Sequence, residues 1–444
     1  MEKINFIILL IVGLAIMTKG CRPEETIESE RLVVQSVVAK SPAESAGIKE
    51  GDVFLKYNGI PVQTINEVND LKIKVESDSV DILVQRDGKK LTFKLPVGQM
   101  GVYLKELLPD IKYKKDAVVI EGIPKLDWST GKSATFHAAL EVIANHLGID
   151  KDYVYLNGVS GSVFRLHFHK DWCPSSPDPT CGYNSGEEAL KTLGLEYHFK
   201  YVPIDDSAGQ EELRKEIMES VDRGMPVFAT ELIGVPEWGI ITGYQDGGKE
   251  LLCRTYFDRR EGYDIADKFP WAVYFIDEKK EMSADIDNYR RSFAIALENL
   301  TTPEYDKYAS GLAGFDLWLM RLKTEDFAAM DSAKYITASH TNAWIYDRLI
   351  DDREDAAEYL ERVAKKFPEL SERLQALAKL YREESELLKP SKDIIMYEFN
   401  MKSRDDWSPE MRKEAAARLL KAKAKEEAAL KIWKQIAELT PESK

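Results

Sequence analysis

The stretch that decides the first part of the fold is SPAESAGIKEGDVFLKYNGIPV, residues 41–62. Ser41 followed by Pro42 indicates a helix start, because a serine hydroxyl caps free N–H groups and proline fits the first helical turn. Gly47 then lies where a short helix has to end in a backbone conformation that residues with a Cβ resist. Gly51-Asp52 turns the chain into the next strand.

The flanking segments add strands and one helix to this stretch. A helical spacing of apolar residues covers residues 64–75, and Asp87-Gly88 between two apolar segments predicts a tight hairpin turn. Residues 32–38, LVVQSVV, form a strand-like run before the opening stretch. Taken together, residues 31–104 resemble a PDZ domain of the bacterial type.

The resemblance implies a peptide-binding function, because PDZ domains add a peptide as an extra strand and hold its carboxylate in a glycine-containing loop. That loop normally precedes the strand that LVVQSVV matches, whereas PVGQMGVYL at 96–104 resembles such a loop and strand moved to the end of the domain. The alternative is that this segment only leads into the next domain, which would leave peptide binding open. The predicted peptide contacts are Gly98, Gly101, Val102, Val68 and Leu71.

A second fold signal is TFHAALEVIANHLG, residues 135–148, whose apolar residues recur at helical spacing up to a terminating Gly148. Three strand-like segments follow further along the chain, at 225–232, 237–246 and 249–258. Residues 105–280 thereby resemble the papain-like fold of the C39-type peptidases and of the N-terminal domain of the butirosin biosynthesis acyltransferase.

That resemblance implies a catalytic cysteine and histidine at two positions that here carry Thr135 and Glu237. The third catalytic position falls near Arg254-Thr255, with Asp258 a few residues late, and the oxyanion-hole glutamine position carries Ser129. A cysteine thiol can ionise to a thiolate near neutral pH, whereas a threonine hydroxyl does not ionise in that range. Glutamate is a weak base unless burial raises its pKa. We therefore expect a catalytically degenerate domain; the alternative is a hydrolase or acyltransferase acting on peptide or amide substrates through Thr135 or another non-cysteine nucleophile.

The segment 156–184, LNGVSGSVFRLHFHKDWCPSSPDPTCGYN, mixes aromatic, cationic and small residues close to the nucleophile helix in sequence. Two histidines on one strand face could chelate a metal ion with a carboxylate such as Asp171, but a polar sheet face or a loop entering a cleft is the favoured interpretation, and we expect neither metal nor cofactor. If the domain binds a ligand, this is the predicted place. The predicted ligand contacts are Arg165, His167, His169, Trp172 and Trp238.

Charge and cysteine content bound the remaining possibilities. A net charge of −15 argues against nucleic acid as a partner, because phosphate binding requires clustered Lys and Arg. Cys173 and Cys181 flank a turn-rich loop that a disulfide could close in an exported protein, the alternative being two free thiols. Cys253 lies in an apolar run and is expected to point into a core.

The first residues indicate export. Residues 1–21 combine a charged start with an apolar run of signal-peptide length and end in Gly20-Cys21, which resembles a bacterial lipoprotein signal with Cys21 as the lipidated residue. An ordinary signal peptide or an uncleaved anchor is the alternative. Residues 22–30 then form a tether, and we expect a membrane-anchored protein of the cell envelope, or otherwise a secreted or periplasmic one.

Residues 284–444 have apolar residues at three- and four-residue spacing and predict a helical domain. The expected fold class is therefore multi-domain α+β: a PDZ-like β-barrel or sandwich, a papain-like α+β domain and a C-terminal helical domain. The expected function is binding of peptides or other ligands at the cell envelope, with the helical domain covering or extending the cleft of the papain-like domain.

Overall fold

The computed structural model describes residues 31–38, 41–75, 77–97, 100–391, 393–401 and 403–440. The predictions for residues 1–30, including Cys21, and for Gly98 lie outside the described residues. The chain is mixed α+β, as expected, and we describe it as a first unit (residues 31–107), a second unit (residues 108–280) and a helical segment (residues 285–439).

The first unit is one antiparallel sheet with two helices. Its strands lie in the order β5-β4-β2-β1-β6, and the short β3 pairs with β2. The elements are β1 (Arg31–Val37), α1 (Pro42–Ala46), β2 (Val53–Tyr57), β3 (Ile60–Pro61), α2 (Ile65–Lys74), β4 (Ser79–Arg86), β5 (Lys89–Pro96) and β6 (Val102–Leu107).

The local signals of the opening stretch act as predicted. The Ser41 hydroxyl accepts a hydrogen bond from the Glu44 N–H at 3.2 Å, and Gly47 ends α1 in the left-handed region at φ +90°. Arg86 pairs with Lys89, which confirms the two-residue hairpin turn at Asp87-Gly88.

The second unit is built on a larger sheet, with strand order β13-β12-β11-β10-β14-β9 and the short β7 paired with β11. The helix that starts at Thr135 packs against β11, as does α6. The elements are β7 (Val118–Val119), α3 (Thr135–His146), α4 (Tyr153–Val159), β8 (His167–His169), α5 (Ser185–Thr192), β9 (Leu195–Tyr201), α6 (Ser207–Asp222), β10 (Val227–Thr230), β11 (Trp238–Gln245), β12 (Glu250–Arg254), β13 (Asp264–Ile265) and β14 (Ala272–Lys279).

The last segment is mostly helical, as its periodicity predicts. Two short strands interrupt it and join β8 of the second unit in a three-stranded sheet of order β15-β16-β8. The elements are α7 (Asp285–Thr301), β15 (Glu304–Tyr305), β16 (Tyr308–Ser310), α8 (Gly311–Thr324), α9 (Ser332–Ala364), α10 (Ser371–Leu388) and α11 (Pro409–Leu439).

The second unit and the helical segment share one hydrophobic core. Tyr359 of α9 and Trp433 of α11 are buried in the same cluster as Phe136 and Ile240. A Cβ on Gly158 of α4 would lie 2.0 Å from the Tyr359 ring, so the two parts are in direct contact there. The predicted boundary near residue 280 therefore marks a change of secondary structure, whereas the first unit has a core of its own.

Candidate functional site

The first candidate site is the edge of the first unit's sheet. β6 runs antiparallel to β1, from the pair Arg31 with Leu107 to the pair Val37 with Val102, and it is the end strand of the described sheet order. The segment 96–104 thus places a strand beside β1 from the far end of the unit. Such a strand has unpaired backbone groups along its outer edge and can receive a further strand.

The side chains of β6 alternate between two surroundings. Val102 and Leu104 pack against the core of the unit, and the Glu106 carboxylate accepts a hydrogen bond from the Ile65 N–H at the start of α2, at 2.7 Å. Tyr103 points to the other side and is 64% exposed. The face of β6 that carries Val102 and Leu104 is therefore turned towards α2, where the half-buried Leu71 lies.

Two of the predicted peptide contacts have structural roles that the sequence did not show. Val68 is 0% exposed and packs in the core of the unit, and its contact with a peptide stays a prediction. Gly101 has φ +79°, and a Cβ on it would lie 2.2 Å from the Ser41 Cβ. The φ angle and the close approach to Ser41 together require a glycine here, where the turn packs against the start of α1. The Gly101 carbonyl also accepts a hydrogen bond from the Val38 N–H at 2.9 Å.

The second candidate site lies where α3 begins. The Thr135 hydroxyl donates a hydrogen bond to Glu237 Oε2 at 2.8 Å and accepts a longer one from the Trp238 N–H at 3.3 Å. Thr135 is 3% exposed, whereas Glu237 is half-buried. The fold thus brings together the two residues that the resemblance places at the cysteine and histidine positions.

The electrostatic surroundings of Glu237 alter its titration. Burial raises the pKa of its carboxyl to about 7; the Thr135 hydrogen bond and the charge of Arg348 oppose that rise, while the charge of Asp178 adds to it. A carboxyl group that titrates near neutrality has the proton affinity of a usable general base. This is the feature of the site that favours catalysis.

The helical segment lies directly on this site. Arg348 Nη1 of α9 donates a hydrogen bond to the Ser133 hydroxyl at 2.6 Å, and that hydroxyl donates to Asp351 Oδ2 at 2.7 Å. Ser133 is two residues before Thr135, so α9 covers the start of α3. Sequence reasoning missed Arg348 and Asp351; the available signal was a run of charged residues within the apolar stripe of α9.

The other positions of the expected catalytic set do not converge on Glu237. Asp258 accepts hydrogen bonds from the Thr255 N–H at 2.7 Å and from Arg254 Nη1 at 3.1 Å, which stabilises the turn after β12. His137 is fully buried and lies 3.1 Å from the Ser160 hydroxyl, and its burial lowers its pKa to about 3. As the helix geometry predicts, His137 makes no hydrogen bond with Thr135 in the structure.

The segment 156–184 is folded inward rather than lining an open cleft. Arg165 precedes β8 and is 6% exposed, and its guanidinium donates hydrogen bonds to the carbonyls of Asp178 and Cys181 at 2.9 and 2.8 Å. His167 is 2% exposed and lies 2.7 Å from Arg165 Nη2 through its Nδ1. Arg165 and His167 thus share a polar cluster, and Arg165 donates its hydrogen bonds to the loop that follows β8.

The remaining predicted ligand contacts are dispersed. Trp172 is 3% exposed in a second core cluster, where its ring centroid lies 5.0 Å from that of Phe168, and its contact with a ligand stays a prediction. Trp238 donates its indole N–H to Asp178 Oδ2 at 2.9 Å, and His169 Nδ1 accepts from the Asp171 N–H at 3.1 Å.

The cysteines of this region are free thiols in the structure, contrary to the predicted disulfide. The Cys173 sulfur lies 3.6 Å from the Tyr308 hydroxyl of β16, which also interacts with the Cys181 side chain. Burial raises the pKa of the Cys181 thiol to about 11, so it is protonated at neutral pH. Cys253 is fully buried, as predicted.

Among the described residues, no three or more His, Cys, Asp and Glu side chains are grouped so as to hold a metal ion. None of the described helices has the length and apolar content needed to cross a bilayer.

Comparison with known proteins identifies the class of the first unit. Residues 33–86 match the PDZ domain family, so the first unit contains a PDZ domain.

Two relatives are proteases by name. The chain is 38% identical over 60 residues to the "Putative zinc metalloprotease mll0638" of Mesorhizobium japonicum (strain LMG 29417 / CECT 9101 / MAFF 303099), a match covering 14% of this chain and 16% of that protein. It is 35% identical over 68 residues to the "Probable periplasmic serine endoprotease DegP-like" of Marinomonas sp. (strain MWYL1), covering 15% of this chain and 14% of that protein. The chain thus spans less than a fifth of the length of each relative.

Proposed function

We propose that this protein binds extended peptides at the outer edge of β6 in its PDZ domain. The observation that carries this proposal is the position of β6: it ends the sheet, and its apolar face is turned towards α2. A peptide added there would gain backbone hydrogen bonds from β6 and side-chain contacts from Val102, Leu104 and Leu71. The nearby turn at Gly101 is where the resemblance puts the carboxylate-binding loop.

Selection from a library of peptides displayed with free C-termini tests this proposal. We expect enrichment of a defined C-terminal motif, and we expect the same peptide with an amidated C-terminus to bind at least tenfold more weakly, a loss of about 1.4 kcal/mol. Absence of enrichment, or equal binding of the amide, would contradict carboxylate recognition by this domain.

We further propose that the second unit is a papain-like domain that has lost cysteine chemistry. Its support is the hydrogen bond of 2.8 Å between the residues at the two expected catalytic positions, together with the resemblance of the flanking segments. The nucleophile position is buried, and Arg348 of α9 contacts Ser133 two residues before it. In this proposal the unit serves as a scaffold or a ligand-binding module rather than as a peptidase.

A second candidate function is hydrolysis or acyl transfer, in line with the protease names of the relatives. The specific observation in its favour is the Glu237 carboxyl, whose raised pKa of about 7 and contact with the Thr135 hydroxyl are those of a base beside a nucleophile. Against it stand the burial of Thr135 and the absence, among the described contacts, of a third group that orients Glu237.

A panel of peptide, amide and acyl-ester substrates separates the two candidates. We expect no turnover by the wild-type protein. Turnover that is lost in both Thr135→Ala and Glu237→Gln, but kept in the matched control Thr301→Ala, would establish the enzyme instead. Thr301 is an exposed threonine at the end of α7 whose hydroxyl donates only to the carbonyls of its own helix.

For location, we propose export and attachment to the membrane through a lipid on Cys21, which rests on the signal-like sequence of residues 1–21. Mass spectrometry of the N-terminal peptide of the mature protein tests it. A lipidated Cys21 at the new N-terminus is expected, and an unprocessed Met1 or a cleavage elsewhere would contradict it.

A further inference from the structure

A small cavity between the second unit and α9 lies beside the start of α3 and is lined by buried charged groups, among them Arg348, which also contacts Ser133. Its volume is about 20 Å³, which is room for one water-sized particle. The loop 176–177 closes one side and α9 the other. The cavity is lined by Arg165, Leu166, His167, Ser176, Pro177, Ile345, Arg348, Leu349 and Asp352.

Three buried nitrogen atoms of the lining residues have no hydrogen-bond partner. They are Nε of Arg165, Nε of Arg348 and Nε2 of His167, and the three residues are 6%, 4% and 2% exposed. Buried N–H groups in proteins are nearly always hydrogen-bonded, because an unmet donor costs about 1–3 kcal/mol. Three such nitrogens on residues that line one cavity favour an occupant that accepts hydrogen bonds.

The hydrogen bonds made by Nδ1 of His167 identify the other ring nitrogen, Nε2, as a donor. Arginine can only donate, so at 2.7 Å from Arg165 Nη2 the Nδ1 of His167 is an acceptor. The Cys181 carbonyl, 3.0 Å from the same nitrogen, receives its hydrogen bond from Arg165 at 2.8 Å. Burial and the charge of Arg165 keep the pKa of His167 well below its usual value, so the ring is neutral and its proton is on Nε2.

The charges of the lining favour a negative occupant over a neutral one. Asp352 is the one carboxylate in the lining, and it already forms an ion pair with Arg348. The described hydrogen bonds of Arg165 go to His167 and to the carbonyls of Pro177, Asp178 and Cys181, none of them to a carboxylate. The charges of Asp352 and Asp178 act on the Arg165 guanidinium without a direct hydrogen bond, which leaves part of the cost of burying this cation for a further anion to offset.

We propose that this cavity is a binding site for a monatomic anion, chloride under cellular conditions, held by Arg165, Arg348 and His167. The volume has room for a halide ion. The anion would join α9 to the segment that follows α4, and thereby fix the helical segment over the start of α3. The inference is independent of the function proposed for either candidate site.

The test is the halide dependence of thermal unfolding of the full chain. Sodium chloride replaces sodium gluconate from about 10 to about 300 mM at constant ionic strength, and an anion that binds only the folded state raises Tm with its concentration. We expect a rise of about 2–4 °C in the wild type and none in Arg165→Met. The control Arg254→Met removes a buried arginine that is paired with Asp258 outside the cavity, and it should keep the chloride response.

Crystals grown in sodium bromide provide a second readout that needs no variant. We expect an anomalous scattering peak in the cavity, within hydrogen-bond distance of Arg165 Nε. A Tm that is independent of chloride, with or without such a peak, would overturn the proposal, and so would an ordinary water molecule at that position in the bromide crystals. If Arg165→Met does not fold, the wild-type Tm series and the bromide crystal decide the question together.

Discussion

At the scale of single residues, the contact of Thr135 with Glu237 joins the two positions at which the proposed papain-like domain would carry its cysteine and histidine. The Thr135 hydroxyl donates a hydrogen bond to the Glu237 carboxyl group, which is partly buried in this site. A protonated carboxyl group is favoured there, which makes the pair a neutral polar contact rather than an activated nucleophile.

This contact predicts a pH dependence of stability. Because the pKa of Glu237 is raised in the folded protein to about 7, its contribution to stability is complete below the ordinary glutamate pKa and is lost as pH rises through about 7. Glu237→Gln mimics the protonated form and should remove this loss. We expect the variant to gain about 1–2 kcal/mol relative to wild type between about pH 5 and about pH 8, after allowance for partial exposure.

Thermal unfolding of both proteins across this pH range measures the difference. Glu231→Gln is a suitable control, because Lys268 and Trp271 hold the pKa of Glu231 below its usual value even though its partial burial acts in the opposite direction. A Glu237→Gln curve that stays parallel to the wild-type curve would show that Glu237 is ionised throughout.

A second prediction at this scale concerns the buried group Arg353, Glu384 and Glu426, which joins α9, α10 and α11. All three are 0% exposed; Arg353 Nε donates to Glu426 at 2.6 Å and lies 3.5 Å from Glu384. Burial raises the pKa of Glu384 well above its usual value, so one of the two carboxyl groups keeps a proton.

Glu384→Gln should therefore change the free energy of unfolding at neutral pH by less than about 1 kcal/mol, since the amide resembles the protonated acid. Arg353→Met should cost about 3–5 kcal/mol, because it leaves a buried carboxylate unpaired. The exposed Arg382, paired with Glu361, provides a control: Arg382→Met should cost less than about 1 kcal/mol. Urea denaturation measures the free energy of unfolding of all three variants. Equal losses for Glu384→Gln and Arg353→Met would contradict the prediction that one of the two buried carboxyl groups keeps a proton.

At the scale of elements, the turn before β6 determines whether that strand reaches the sheet. Gly101→Ala would place a Cβ 2.2 Å from the Ser41 Cβ, at a residue with φ +79°. Gly51→Ala is the matched control, because Gly51 has φ +81° with nothing within 4 Å of its ideal Cβ. Both substitutions place an alanine at a positive φ angle, and only Gly101→Ala adds a steric clash with Ser41.

We expect Gly101→Ala to lower the stability of the PDZ domain by about 1–3 kcal/mol more than Gly51→Ala does. Hydrogen exchange of the β1 and β6 amides measures it locally, without assuming that the whole chain unfolds in one step. Equal protection in the two variants would show that the turn is not seated on Ser41 in solution.

At the scale of the whole molecule, local sequence signals predicted the elements well and their long-range neighbours less well. The Ser41 cap, the Gly47 stop and the Asp87-Gly88 hairpin are set by backbone and capping chemistry within a few residues, so the sequence reveals them. The adjacency of Thr135 and Glu237 followed from the resemblance of two separated motifs rather than from any local rule.

What the sequence could not show depends on how elements pack. An aromatic such as Trp172 has the same local pattern whether it enters a core or lines a cleft, and only the docking of the helical segment decides which. The contact of Arg348 with Ser133 joins positions that are 215 residues apart, so the periodicity of α9 contains no information about it. The shared core of the second unit and the helical segment was missed for the same reason.

The measurement that tests the central claim most directly is the affinity of a selected C-terminal peptide for the wild-type protein and two variants, by isothermal titration. Leu71→Lys changes the side of α2 that is turned towards β6, and Tyr103→Lys changes the exposed, opposite face of the same strand. Circular dichroism before each titration verifies that the variants are folded. The account predicts at least a tenfold weaker Kd for Leu71→Lys and less than a twofold change for Tyr103→Lys. Unchanged binding by a folded Leu71→Lys protein would contradict peptide recognition between β6 and α2.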